Sequence, residues 1–277
     1  MVNHVRNFTR RYPKIHRVLS FTYSRIVYPC TTGHFSFFIK YFLFIKHKEV
    51  KRLRDFSLID AKPVSLLSWR VGRGKDKAYR RYYVAEYNSK KCFVKVGTND
   101  STVKNEYSLL NQFDMSQIGF SPKYLVGSDA FSDDTTMVAV EYINGLEKFK
   151  IPDNMESFDL LCASFLEILK TLELNDIVHA DVHKGNLMLQ GDNLFLLDYG
   201  ISKKQDVGNN IDYVARPGTY FIENNGLRKY DDAYSFIKLL DCSDISDEFK
   251  KSKNYIEIKN RIDKFTFCVN IDCVGRN

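Results

Sequence analysis

The sequence predicts an α+β chain in two parts, an antiparallel sheet followed by a mainly helical portion. Three observations predict it. Residues 66–71, 79–87, 91–96 and 136–142 are short runs rich in Val, Tyr and Phe, set apart by Gly and Asn-Ser, as in a meander. Phe158, Leu161, Cys162, Phe165, Ile168, Leu169 and Leu172 recur at helical spacing and define one buried stripe. Residues 187–197 form two apolar runs joined by Gly191-Asp192-Asn193, which reads as a β-hairpin.

Taken in order, the chain begins with a basic segment. Residues 1–60 hold 12 Lys+Arg against 3 Asp+Glu, while the remainder holds 29 against 31, so the net charge of +7 belongs to this segment. It lacks the apolar core and small-residue cleavage site of a signal peptide. The aromatic run 35–45 is about half the length a membrane-spanning helix needs, and Lys40 interrupts it. Aromatics beside the basic cluster 46–54 suit the interface of an anionic cytoplasmic leaflet, or equally a segment packed on the folded body with its lysines solvated. Nucleic acid ranks below both, since no recognised binding motif appears. Six cysteines without CxxC spacing predict free thiols in a reducing cytosol.

Within the meander, Gly72 and Gly74 stand in a cationic turn that could cover phosphates, though a plain hairpin turn fits as well. Lys95 lies inside an apolar strand, where a buried ammonium needs a partner. Glu106, in a helix predicted over 102–113, is the proposed one; the alternative leaves Lys95 at an edge with its head in water. Residues 153–156, Asp-Asn-Met-Glu, resemble a capping box opening the long helix.

The chemistry gathers at the hairpin. His179-Ala-Asp181-Val-His183-Lys-Gly-Asn186 precedes it and Asp198-Tyr-Gly200 follows, so pairing brings Asp181, Asn186 and Asp198 to one spot. Two carboxylates and an amide oxygen are hard ligands suited to Mg²⁺ that also holds phosphates. A carboxylate outside the metal's reach can accept a hydroxyl proton, which is the constellation of phosphoryl transfer.

These two clusters resemble the catalytic loop and metal-binding motif of the protein-kinase-like superfamily. The resemblance implies a bilobal fold, with an antiparallel-sheet N-lobe at about residues 61–142 and a minimal, mainly helical C-lobe at about 143–277, preceded by the basic extension 1–60. It implies ATP and Mg²⁺ as cofactors. Lys95 would hold the nucleotide phosphates, Glu106 would fix Lys95, and Asn186 and Asp198 would hold the metal. Asp181 would act as base, His179 would brace the loop, and the backbone around Glu141 and Ile143 would meet the adenine. Asp232 would support the catalytic loop, or serve as an ordinary helix N-terminal acid.

Protein Ser/Thr kinases usually carry Lys two residues after the catalytic Asp, where this chain has His183. The form H-x-D-x-H-x-x-N is similar to kinases of small molecules and sugars, and most of all to bacterial lipopolysaccharide core heptose kinases. That resemblance implies a sugar hydroxyl of the lipopolysaccharide core as acceptor, and a cytoplasmic enzyme at the inner face of the membrane. A protein kinase is the second reading, favoured by the segment 216–223. A non-catalytic scaffold is the third, opposed by the presence of Lys95, Asp181, Asn186 and Asp198 together.

Overall fold

A computed structural model of the chain describes residues 46–64, 70–71, 79–112, 119–131, 134–204, 220–224 and 227–270. The expectations for residues 1–45, 66–69, Gly72 and Gly74 lie outside them, as does most of 216–223.

The first layer is a twisted antiparallel sheet. Its strands are β1 (Ile59–Pro63), β2 (Arg70–Val71), β3 (Tyr79–Tyr87), β4 (Lys90–Thr98), β5 (Tyr124–Ser128) and β6 (Thr135–Glu141), ordered β1-β3-β4-β6-β5 with β2 on β3. The β3–β4 turn is Asn88-Ser89, both in the left-handed region at φ 48° and 62°, the conformation that a two-residue hairpin turn demands. Alternation then sorts the faces. Cys92, Val94 and Val96 bury into a cluster with Tyr83, Met137 and Ala139 on the back of the sheet. Phe93 and Lys95 face the other way, into a cleft.

Helix α1 (Lys46–Asp55) covers the back of the sheet. Leu53 and Leu58 are fully buried in the back cluster. Glu49, the acid in the first turn of a helix rich in lysine and arginine, is buried too, and both Arg81 and Tyr83 of β3 donate to its carboxylate. The end of the basic segment is therefore tied into the sheet by a buried ion pair, while Lys51 and Arg54 face solvent.

Helix α2 (Ser101–Gln112) crosses the cleft-facing side of the sheet and buries Val103, Glu106, Leu109 and Leu110. Asp100 caps it, its Oδ1 accepting the Thr102 N–H at 3.1 Å, and Arg80 donates to both Asp100 oxygens.

The second layer is mainly helical: α3 (Met155–Leu174), α4 (Asp232–Asp241) and α5 (Lys253–Arg261). All seven residues of the predicted stripe in α3 are buried, and Phe165 stacks on Phe236 of α4 at 3.8 Å. Burying side chains of this kind contributes ~1.5–3 kcal/mol each. The cap of α3 is Asn154 rather than Asp153: its side chain accepts the Ser157 N–H at 2.9 Å, so the start shifts by one residue from the capping-box reading.

Short ladders then place the site. Strands β9 (Leu187–Gln190) and β10 (Asn193–Leu196) form the predicted hairpin, with β7 (Glu147–Lys148) beside β9. Strand β8 (Ile177–Val178) pairs with β11 (Lys203–Lys204), so the residues just before His179 lie beside those just after Gly200. Strands β12 (Ile222–Asn224), β13 (Leu227–Asp231) and β14 (Thr266–Asn270) complete the layer. Among the described residues, no helix is long and apolar enough to cross a membrane.

Candidate active site

A cleft of about 600 Å³ lies between the sheet and the helical layer. Tyr82 and Phe93 stack on its sheet side at 5.7 Å, Glu141, Tyr142 and Ile143 border one end, and Asn186, Leu197 and Asp198 lie opposite. The Glu141 N–H donates to Lys123 and the Tyr142 N–H to Lys91, at 2.8 and 3.1 Å. Of these three residues, Ile143 is the one whose N–H these bonds do not take.

Lys95 stands at the centre of the cleft. The β4 register sets it between Tyr82 and Val138, and its Nζ reaches both Glu106 oxygens at 2.8 and 2.7 Å. The proposed partner is the actual one. The same ammonium lies 3.1 Å from Asp198 Oδ1, 103 residues downstream. Burial alone would lower the Lys95 pKa, but the Asp198 and Glu106 charges outweigh it and raise the pKa above the ordinary lysine value. Burial pushes Glu106 upward, and Lys95 opposes that.

The loop 179–186 is held from below by its backbone. The Asp232 carboxylate accepts the His179 and Ala180 N–H groups at 2.7 and 3.1 Å, so Asp232 supports the loop and does not merely cap α4. Asp231 performs the capping, accepting from Tyr234 N. Tyr230, buried at the end of β13, accepts the Val182 N–H with its hydroxyl at 2.8 Å, and Ser202 Oγ donates to the His179 carbonyl. Ala180 takes a left-handed backbone at φ 67° within this frame.

Inside the loop, Asn186 Nδ2 donates to the Asp181 carbonyl at 3.0 Å and to Asp181 Oδ2 at 3.1 Å. The amide nitrogen is thereby committed to Asp181, and its oxygen is the atom available for a cation. His183 accepts the Gly185 N–H on Nδ1 at 2.9 Å, which leaves Nε2 as the donor nitrogen. That Nε2 lies 3.6 Å from Asp181 Oδ1. A Cβ on Gly185 would stand 2.7 Å from the His183 ring, so this position must stay glycine for the ring to sit there.

Asp198 occupies the left-handed region at φ 69°, backbone strain of the kind that surrounding contacts must hold in place. A short 3-10 turn, Tyr199–Ile201, follows it, and the Tyr199 ring packs edge-on against His179 at 4.9 Å.

The residues present fit Mg²⁺ with a nucleotide: a carboxylate and an amide oxygen are hard donors, and Lys95 stands beside them for phosphate. Lys95, Glu106, Glu141, Ile143, His183, Asn186 and Asp198 therefore line one cleft, while Asp181 and His179 are buried behind it, against Asn186 and Tyr199 respectively. Tyr230, Ser202 and Asn105, whose side-chain amide reaches the carbonyls of Tyr199, Gly200 and Ser202, escaped the sequence reading. Tyr230 carries no local signal, and Asn105 could have been found only by its place next to Glu106.

His179 is fully buried, and burial lowers its pKa to about 4, with Asp181 and Asp198 opposing. Folding thus favours the neutral ring. Its contribution is fully present above about pH 6.5 and is lost as pH falls toward 4, in total roughly 3 kcal/mol. Asp232, pushed up to about 7 by burial, has the opposite sign: its contribution fades as pH rises through that range. Denaturant unfolding between pH 7 and 4 should therefore show a steeper acid-side loss in wild type than in His179→Gln, since Asp232 acts in both.

The antiparallel sheet, the helical layer and the cleft between them make the bilobal α+β arrangement of a protein-kinase-like fold. Among solved structures, the chain is similar to the kinase PK-1 of Cydia pomonella granulovirus, with 18% identity and a TM-score of 0.42 over 63% of this chain. The match spans 65% of that kinase's length. No protein-family model matches the sequence, and no curated protein does.

Proposed function

We propose that this chain is an ATP- and Mg²⁺-dependent phosphotransferase acting on a hydroxyl group, with a heptose of the lipopolysaccharide core as acceptor. One observation carries the phosphotransferase reading: Lys95 joins Glu106 and Asp198 at 2.7 and 3.1 Å, across 11 and 103 residues of sequence. A scaffold that never handled phosphates has no need of that arrangement.

Asp181, clamped by Asn186, orients the acceptor hydroxyl and takes its proton as the oxygen attacks the terminal phosphorus. The bond from that phosphorus to the bridging oxygen breaks, and ADP leaves. Lys95 holds the phosphates against Asp198. Asn186 and Asp198 would hold Mg²⁺, which would supply neutralisation of the charge on the transferred group. Positioning and charge stabilisation carry most of the acceleration.

The acceptor is supported by the H-x-D-x-H-x-x-N form of the loop and the placement of His183 where protein kinases carry lysine. An amphiphilic sugar acceptor at the inner membrane face also suits the cationic segment 1–60, whose proposed partner is an anionic membrane surface.

The test is ³²P transfer from labelled ATP with Mg²⁺ to dephosphorylated lipopolysaccharide core and, separately, to a protein mixture. Label on the lipopolysaccharide, lost in Asp181→Ala, supports the reading. Asp181-dependent label on protein alone replaces the acceptor with a protein hydroxyl. Labelling of neither acceptor, with ATP bound, turns the assignment toward a pseudokinase.

A further inference from the structure

We propose that Asn105 is a positioning residue that couples helix α2 to the metal-binding loop and thereby sets the affinity of the site for Mg²⁺. The proposal rests on the phosphotransferase reading, in which Asp198 is a metal ligand.

Asn105 Nδ2 lies 3.3, 3.2 and 3.0 Å from the carbonyl oxygens of Tyr199, Gly200 and Ser202. One amide thus gathers three carbonyls of the segment that begins at Asp198, bridging 94 to 97 residues of sequence. Its neighbour Glu106 holds Lys95, and Lys95 reaches the Asp198 carboxylate. Helix α2 therefore grips the loop twice, at the Asp198 side chain through Lys95 and at the following backbone through Asn105.

The loop is also pressed against the helix. A Cβ on Gly200 would come to 3.1 Å from Thr102 Cβ and 3.3 Å from the Thr102 carbonyl. Close approach at that position lets the short asparagine side chain reach across.

These contacts matter because Asp198 sits at φ 69°. A strained conformation persists only where its surroundings over-determine it. With the Asn105 bonds removed, the turn after Asp198 relaxes and the carboxylate leaves its place beside Lys95. The ammonium of Lys95 stays with Glu106, so phosphate contact survives while metal contact weakens. Aspartate at 105 is worse than alanine, because it would set a carboxylate against three carbonyl oxygens.

The test is calorimetric titration of the full chain with ATP, with and without Mg²⁺. Wild type should bind ATP about tenfold more tightly when Mg²⁺ is present. Asn105→Ala should bind metal-free ATP within about twofold of wild type, yet keep only about a twofold gain from Mg²⁺. Asn105→Asp should lose the gain altogether, whereas Gln112→Ala, on the exposed end of the same helix, should retain it.

A full Mg²⁺ gain in Asn105→Ala overturns the coupling. So does an equal loss of metal-free ATP, which would mark Asn105 as a merely structural residue. Wild-type protein that binds no ATP in either condition overturns the phosphotransferase reading itself, a distinct result.

Discussion

Lys95→Met should lower ATP turnover by roughly 10²–10³-fold while costing little stability. The ammonium lies between the Glu106 and Asp198 carboxylates, at 2.7 and 3.1 Å. Methionine matches its length and loses the charge. Glu106, whose pKa burial already raises, can then take up a proton and become a neutral hydrogen-bonding acid, which limits the cost to folding. The nucleotide phosphates have no such escape, because their charge persists. Steady-state turnover and thermal unfolding should therefore separate, the first collapsing and the second moving slightly. Lys95→Arg should not restore turnover, since a planar guanidinium cannot replace a compact ammonium between two carboxylates. Equal losses of stability and activity would mean that Lys95 is a structural ion-pair partner.

Glu49→Ala should destabilise the fold by about 3–5 kcal/mol, the cost of breaking a buried ion pair from one side. Arg81 is 2% exposed and Glu49 3%. A guanidinium cannot shed its proton as a lysine can, so Arg81 must keep its charge in an apolar setting. Tyr83, fully buried, loses the same carboxylate as a hydrogen-bond partner. Denaturant midpoints should fall with an unchanged slope. Lys51→Ala, on the exposed side of the same helix, should stay within about 0.5 kcal/mol of wild type. A similarly small effect for Glu49→Ala would mean that α1 is a dispensable attachment.

Glu49 also shows where sequence reading stops. Residues 46–54 read as a basic cluster, and composition gives no sign that their one acid pairs with an arginine 32 residues further on. A buried ion pair leaves no local period or spacing. By contrast, Asp181, Asn186 and Asp198 were legible because a hairpin of fixed length dictates that its flanks meet. Lys95 was legible for a different reason: an ammonium inside an apolar strand announces that a partner exists, and a helix with Glu106 on its buried face supplies one. The α3 stripe followed from period alone. The cap slipped by one residue because Asp153 and Asn154 are both competent caps, and only the backbone entering the helix chooses between them. Tyr230 and Asn105 act on backbone groups far away in sequence, and contacts of that kind depend on the finished fold.

The proposed phosphoryl-transfer centre comprises Asp181, Asn186, Asp198 and Lys95. Its most direct test is to titrate wild type and Asp181→Asn with MgATP and then follow ADP release from each. The account predicts that both bind the nucleotide with similar affinity and that only wild type turns it over, with Asp181→Asn slower by about 10²–10⁴-fold. Equal turnover in the two proteins, or no binding by either, would contradict it.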